Sequence, residues 1–353
     1  AGCEVTVASS GSGFMRTDRD IDLRRPLPGK AGGLALWLRL NGPLRGHLKG
    51  YDVVSFSNPI FLQLRPERIR KLFHRLKQDN GGLFLTALGT DLPYIEECLD
   101  PQGHLRYNEF RIDGRPAPFA LRHPEIIPAW QSSPLREWND EFYANIDGAV
   151  SALYEYHVAL SRRLPADKIA YGGIPVDTSS LQPVEIPENP SPVRLFLGRH
   201  RHRMEEKGTD LFETAIRRAI ERNPGKGELV IVENRPYEEY LSLMRSAHVI
   251  IDQAYSYTPA TNALLSMAYG IPTVSGGEPE YYDFIGEPDT PLRRPIINSP
   301  VTLDEMNAMF DNILNHPERL RDLGKASREF VLRNNDCDIV ARRFLTFWQS
   351  RLG

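Results

Sequence analysis

The run A-H-V-I-I-D-Q-A-Y-S-Y-T-P-A-T-N-A-L-L-S-M-A-Y-G-I-P-T-V-S-G-G-E-P-E-Y-Y-D, residues 247–283, decides the fold of this chain. Residues 249–252 are a short apolar run that suits a buried strand, and 255–259 form a polar turn carrying a proline. Residues 260–269 have helical spacing, 272–275 suit a second short strand, and Gly276-Gly277 closes the unit. Strand, helix and strand in this order make one β-α-β unit of a parallel sheet. In open α/β sheets ligands bind beyond the carboxyl ends of the strands, where loops lead into helices, and this segment supplies two such loops. Proline suits a first helical turn and threonine an N-cap, so the helix is expected to begin just past Thr258-Pro259. Its free N–H groups and its dipole favour an anion in the turn.

The same alternation continues upstream. Strands are predicted over 193–197 and 228–232 and helices over 209–222 and 236–246, which completes a second α/β series. The proline-rich stretch 179–192 before it reads as an interdomain linker. In the first half, strands are expected over 4–8, 52–56, 83–88 and 168–171, and helices over 34–48 and 61–76. Residues 93–133 read as an irregular insertion, and 136–161 as one long or broken helix. The last helix, 338–352, carries Phe344, Phe347 and Trp348, which need a partner to bury them. The expected fold class is α/β: two Rossmann-like domains facing a cleft, with a first domain over 1–175, a second over 176–336, and a C-terminal helix over 337–353 that packs back on the first.

With 353 residues, 41% hydrophobic and 25% charged, the chain has an ordinary globular composition and the length for two domains. No apolar run approaches the roughly 18 residues of a membrane span, and the start does not read as a signal peptide. Cys3, Cys98 and Cys337 are far apart, which suggests neither a zinc site nor a disulfide framework and fits a reducing cytoplasm. Gly11-x-Gly13 is an incomplete dinucleotide loop. Asp18, Asp20 and Asp22 alternate like metal ligands but sit among Arg16, Arg19, Arg24 and Arg25, and read as a charged loop. The net charge of -3 hides an asymmetry: residues 16–77 hold fourteen Lys or Arg against five Asp or Glu. Such a region can be a solvated helical face, or can meet anionic lipid, a nucleic acid or an acidic acceptor.

Four motifs carry a resemblance to a known family. F-L-G-R-H-R-H-R-M-E-E-K-G-T-D (196–210) is similar to its strand, glycine, basic loop and Lys-Gly. S-M-A-Y-G-I-P-T-V (266–274) resembles its A-M-A-x-G-x-P-V core, G-G-E-P-E (276–280) its G-G-x-P-E loop, and H-P-E-R-L-R-D-L-G-K-A-S-R-E-F-V (316–331) its ending. The chain thus resembles the GT-B glycosyltransferases of family 4, also called group 1, and within them the divergent bacterial type tied to surface polysaccharide synthesis. In the first half only Y-D-V-V-S-F-S-N-P (51–59) and L-G-T-D (88–91) match, the latter with Leu88 in place of the histidine of H-G-x-D. The family's opening strand and glycine-rich loop have no counterpart, so the first strand is expected to be missing. The carboxylates of the family's E-x7-E pair are replaced by Tyr257 and Leu265.

The resemblance implies a retaining, metal-independent transfer of a hexose from a nucleotide-diphosphate sugar to a glycan or lipid-linked acceptor. It implies no cofactor beyond that donor and no nucleic acid, and a cytoplasmic protein at the inner membrane face, where the basic first half would give peripheral contact. Breaking the C1–O bond leaves charge on two phosphates, which Lys207 and Arg203, or Arg199, would stabilise. The turn Tyr257-Thr258-Pro259-Ala260-Thr261-Asn262 would supply backbone N–H groups to the distal phosphate, Pro259 setting the turn and giving none, with Thr258 and Asn262 adding side-chain bonds. Glu278, beside Gly277, is the candidate for the lost carboxylate function, with Glu280 on the sugar hydroxyls and Tyr237 near the base. Other readings of the same motifs are a nucleotide-sugar 2-epimerase and a non-catalytic sugar-nucleotide-binding homologue.

Overall fold

The computed structural model describes residues 2–11, 18–200 and 203–352; Gly13 and Arg16 lie outside them. Two parallel sheets dominate. The first has strands Val53–Phe56, Gly82–Ala87, Gly148–Ser151 and Ile169–Tyr171 side by side in chain order. The second runs Gly227–Val232, Val193–Gly198, Val249–Ile251, Thr273–Ser275 and Ile297–Asn298. Its order turns back on either side of Val193–Gly198, so the carboxyl ends of Val193–Gly198 and Val249–Ile251 flank the point where such sheets open a crevice. Each sheet has its own apolar core, and a third cluster, including Tyr94, Tyr154, Tyr257, Met267 and Phe330, lies between them.

The helix Cys337–Leu352 packs on three strands of the first sheet. Phe347 meets Phe84 with ring centroids 6.1 Å apart. Its ring lies so close to Gly148 that a Cβ there would sit 2.7 Å from it, so the small residue opens the sheet face to the aromatic side chain. The partner that the helix's aromatics need is thus the first sheet.

Several local expectations are corrected. Residues 136–161 are not one helix: Ser133–Asn145 and Tyr154–Leu160 flank the strand Gly148–Ser151. That strand is four buried residues without alternation, which periodicity cannot separate from a helix. The stretch 93–133 contains the helix Leu92–Leu99, a hairpin of Arg111–Ile112 with Arg115–Pro116, and the short helices Pro118–Arg122 and Ile126–Gln131. Only Ala8–Ser9 of the first strand forms, paired with Ile21–Asp22, while Val5 and Val7 stay exposed. The helix Gly29–Asn41 stops before Pro43, Arg45–Leu48 forms only a short 3-10 helix, and the next α-helix begins at Pro66. Asp22 pairs with Arg24 and Asp20 accepts the Val7 N–H, as a charged loop would. Among the described residues no cluster of three His, Cys, Asp or Glu could hold a metal ion.

The helix Thr261–Ala268 is seated on Leu320–Asn334, and Gly324 touches the turn that ends it: a Cβ at 324 would lie 2.2 Å from the Gly270 carbonyl oxygen. Gly324→Val should therefore lose about 2 kcal/mol by overpacking against backbone. Urea unfolding measures it, with a lower midpoint at unchanged slope expected.

Candidate active site

The carboxyl ends of the two sheets face a cleft of about 550 Å³. From the second half it is lined by Arg203, Glu206 and Lys207 after Val193–Gly198, and by Gln253, Tyr255, Ser256, Ala260, Thr261 and Asn262 after Val249–Ile251. From the first half come Leu88, Tyr94 and Glu109, then Ala152, Leu153, Glu155 and Tyr156 after Gly148–Ser151, and Ile174-Pro175 after Ile169–Tyr171. The cations belong to one wall, and both walls carry carboxylates.

Lys207 Nζ donates to Oδ1 of buried Asp252 at 3.2 Å, and Asp252 Oδ2 accepts from Ser275 at 3.3 Å. The charge is held at the strand end by a carboxylate that itself has a fixed partner. Arg203 pairs with Glu206, whose hydrogen bond raises the guanidinium pKa, with burial opposing. Arg199 behaves differently. Its guanidinium is half-buried between Glu213 and Glu233, away from the cleft lining. Of the three basic candidates, the structure brings Arg203 and Lys207 to the cleft and holds Arg199 inside its own half.

The anticipated anion turn is divided in two. Its helix starts at Thr261 with Ala260 as N-cap, later than expected, so Ala260, Thr261 and Asn262 present the first turn to the cleft. Such a turn has N–H groups without helical partners. Asn262 Oδ1 accepts the Tyr240 hydroxyl at 2.7 Å. The preceding residues are already occupied by an anion of the protein itself. Glu155 Oε1 accepts the N–H groups of Tyr257 at 2.6 Å and Thr258 at 3.1 Å and the Ser256 hydroxyl at 2.7 Å. Its Oε2 accepts the Thr258 hydroxyl at 2.6 Å. Tyr257 and Pro259 are buried and do not line the cleft.

Tyr257, Glu278 and Glu280 meet the insertion instead. The Tyr257 ring stacks on Tyr107, with centroids 4.9 Å apart at 25°. Glu278, 6% exposed, accepts from Tyr107 at 2.6 Å, from Asn298 at 2.8 Å and from Arg106. Arg106 Nε also donates to Glu280 at 2.8 Å. Gly277 N–H is bonded to Asn298 at 2.9 Å. Glu278, Glu280 and Gly277 thus build a clamp on residues 106–107 and are not part of the cleft wall. Tyr237 is 62% exposed at the start of Tyr237–Arg245 and also stands outside that wall.

Residue patterns missed the first-half wall. Glu109 accepts from the Tyr94 hydroxyl at 2.9 and 3.1 Å, and burial raises its carboxyl to about 7. Burial likewise raises Asp91, the aspartate of L-G-T-D, to about 6, where it caps Leu92–Leu99 through the Tyr94 N–H. A strand at Gly148–Ser151 would have marked Leu153 and Glu155 as residues at a carboxyl end. Glu109 sits in the insertion with no pattern around it.

No protein-family model and no curated protein matches the sequence. Solved structures do resemble the fold. A sucrose-phosphate synthase from Thermosynechococcus elongatus aligns over 98% of this chain and 87% of its own, with TM-score 0.58 and 15% identity. An alpha,alpha-trehalose 6-phosphate synthase from Burkholderia multivorans covers 91% and 76%, with TM-score 0.55 and 14% identity. An S. aureus TarM variant in complex with fondaparinux, alpha-GlcNAc-glycerol and UDP covers 89% of this chain at TM-score 0.58 and 9% identity, and the chain spans only 58% of it.

Removing the Glu155 carboxylate takes the acceptor from the Tyr257 N–H and the Thr258 hydroxyl, while the Ser256 hydroxyl and the Thr258 N–H keep partners within the turn. Glu155→Ala is expected to destabilise the protein by about 3 kcal/mol and to speed amide exchange at Tyr257 and Thr258. Exchange there at the wild-type rate would show that the carboxylate does not hold the turn. At these identities the alignments speak to architecture, and the chain has the GT-B fold: two α/β halves around one cleft, tied together by a final helix.

Proposed function

We propose that the protein is a retaining, metal-independent glycosyltransferase that moves a hexose from a nucleotide-diphosphate sugar to a glycan or lipid-linked acceptor in surface polysaccharide synthesis. The observation that carries this reading is the convergence of Lys207, Arg203 and the first turn of Thr261–Ala268 on one cleft at the second sheet's crevice. Two cations and a helix start suit a diphosphate, and they stabilise the charge that grows on it as the C1–O bond breaks. These groups act without a divalent ion, so chelation should leave turnover unchanged. The UDP named with the TarM variant supports a uridine donor as the first to try. Retention rests on the resemblance of the motifs, and the anomeric configuration of the product tests it.

Lys207→Ala should lower turnover by ~10²-fold or more, the scale of losing one preorganised charge partner. A thermal-shift screen of nucleoside diphosphates and their sugars tests binding separately. At about 100 times Kd a ligand adds about 2.7 kcal/mol, and Lys207→Ala should abolish the shift. A protein whose Tm responds to no nucleotide would contradict the reading.

A second reading, sugar-nucleotide binding without transfer, is favoured by one observation: no carboxylate replaces Tyr257 or Leu265, and Glu278 is engaged by Arg106. Donor binding with no release of nucleoside diphosphate, to water or to any acceptor, would support it.

Peripheral membrane contact belongs to the same proposal and places the work at the cytoplasmic face. Its support is the surface of Gly29–Asn41, where Leu34 and Leu38 are exposed at 48% and 62% beside a groove lined by Arg25, Lys30, Arg65 and Arg68. No described helix is long and apolar enough to cross a membrane. Sedimentation with vesicles containing anionic lipid should pull the protein down, and Leu34→Glu with Leu38→Glu should release it. Equal sedimentation with neutral vesicles would count against an electrostatic contact.

A further inference from the structure

A groove of about 460 Å³ lies outside the cleft, between the starts of the helices Gly29–Asn41 and Pro66–Asp79. Arg25, Lys30, Arg65 and Arg68 line it, and no Asp or Glu does; Glu67, on the first turn of Pro66–Asp79, is outside the lining. Two of these cations are held without being neutralised. Arg68 donates to the Gly33 carbonyl at 2.9 Å and lies 5.9 Å from the Trp37 ring, and Arg25 donates to the Gln63 carbonyl. The side chains of Lys30 and Arg65 make no hydrogen bond or ion pair among the described residues. Arg199, by contrast, sits between two glutamates. Four like charges around one groove repel one another, and an anion placed among them reverses the sign of that interaction.

An apolar ridge stands beside the cations. Leu27, Leu34 and Leu38 are 54%, 48% and 62% exposed, and Leu34 itself lines the groove. Leu34 and Leu38 are one helical turn apart on the same face. A Cβ at Gly32 would lie 1.6 Å from the Leu27 carbonyl oxygen, so that glycine lets the Leu27 loop rest on the helix. A phosphate polymer or a nucleic acid would use the cations alone, whereas a phosphate carried on a hydrocarbon chain uses cations and leucines together. The groove is also on the cleft's side of the first sheet. Pro66–Asp79 follows the strand Val53–Phe56, so its start lies at that strand's carboxyl end, as Leu88 and Leu153 of the cleft lie past the ends of the next two strands. Asn58 Nδ2, in the loop between that strand and helix, donates to the Thr90 carbonyl, two residues past Leu88, at 2.9 Å. With neighbouring strands about 4.8 Å apart, the edge strand lies roughly 10 Å from Gly148–Ser151, a span that a sugar residue and its phosphate bridge.

We propose that this groove binds the phosphate of a lipid-linked acceptor, a sugar joined through a phosphate ester to a long hydrocarbon chain. The phosphate lies among Arg25, Lys30, Arg65 and Arg68, the chain along Leu27, Leu34 and Leu38, and the sugar reaches over the rim into the cleft. The inference rests on the transfer reading and its membrane contact, and adds to them the class of acceptor and the site that holds it. It differs from diffuse attraction to an anionic bilayer: one ligand fills one groove, and the phosphate and the chain belong to the same molecule. Arginines suit the phosphate oxygens as paired donors, and Lys30 adds a point charge.

Calorimetry of the full chain with n-octyl phosphate, ethyl phosphate and n-octanol tests the binding. Octyl phosphate should bind one per protein and about tenfold or more tighter than ethyl phosphate, because its chain leaves water; octanol should give no saturable binding. Lys30→Gln with Arg65→Gln should weaken octyl phosphate about tenfold or more, the scale of removing two cations from a phosphate. The Tm should not fall in that variant, since neither side chain has a partner to lose. Leu34→Ser with Leu38→Ser should shrink the preference for octyl over ethyl phosphate. Lys325→Gln, an equal loss of one charge on the second half, should change neither affinity.

Vesicles and transfer then separate an acceptor's phosphate from that of bulk lipid. Phosphatidylcholine vesicles carrying a prenyl phosphate should bind the protein more tightly than vesicles of equal charge carrying phosphatidylglycerol. The donor for transfer is the nucleotide-diphosphate hexose that most raises the Tm, and the acceptors are an octyl phosphate-linked hexose and the plain octyl hexoside. The ratio of their kcat/KM values should favour the phosphate-linked sugar, and Lys30→Gln with Arg65→Gln should lower that ratio about tenfold. Equal binding of the two vesicles, equal use of the two acceptors, or an octyl phosphate affinity that ignores the two substitutions would overturn the proposal. So would ethyl phosphate binding as tightly as octyl phosphate. A protein that UDP stabilises but octyl phosphate does not bind loses the acceptor site and keeps the transfer reading; failure of Lys207→Ala to weaken the nucleotide would instead count against the transfer reading alone.

Discussion

The carboxylate of Glu155 in the 256–258 turn is the interaction on which the arrangement of the two halves depends. It comes from the first residues after a strand of the first sheet and satisfies two N–H groups and two hydroxyls after a strand of the second. A buried charge is tolerable only when such bonds surround it, and here all of them come from the opposite half. A second clamp, Arg106 and Tyr107 on Glu278, Glu280 and Tyr257, repeats the pairing with the polarity reversed. Together they fix the width of the cleft between Lys207 and Glu109.

That geometry gives the cleft two chemical walls. The second half offers cations and a helix start, which suit phosphate; the first offers phenols and the Glu109 carboxyl, which suit hydroxyl groups. Because Glu155 occupies residues 256–258, the space for an anion is confined to Lys207, Arg203 and residues 260–262.

The second half was largely legible because its segments are long and punctuated. Thr209–Arg222 and the strands on either side of Arg203 and Lys207 emerge from helical period, short apolar runs and glycine. The first half was less so. Gly148–Ser151 is too short to show a period, and reading it as helix hid Leu153 and Glu155 at a strand end. Candidate residues named from motifs alone fared according to their surroundings. Arg203, Lys207 and Ala260 to Asn262 reach the cleft because the loops after two adjacent strands must. Arg199, Glu278 and Glu280 found partners distant in sequence, at Glu213, Glu233 and Arg106, that no local pattern contains. Glu109 has the same cause in reverse: a loop glutamate is raised chiefly by burial, with Glu206 and Glu155 nearby acting in the same direction.

The central claim is that the two halves converge on a nucleoside diphosphate in this cleft. A crystal structure of the protein grown with UDP or GDP tests it most directly. The account predicts phosphate oxygens within hydrogen-bond reach of Lys207 Nζ and of the Thr261 and Asn262 N–H groups, with Glu109 across the cleft from the terminal phosphate. A nucleotide bound elsewhere on the molecule, with Lys207 still on Asp252, would contradict it.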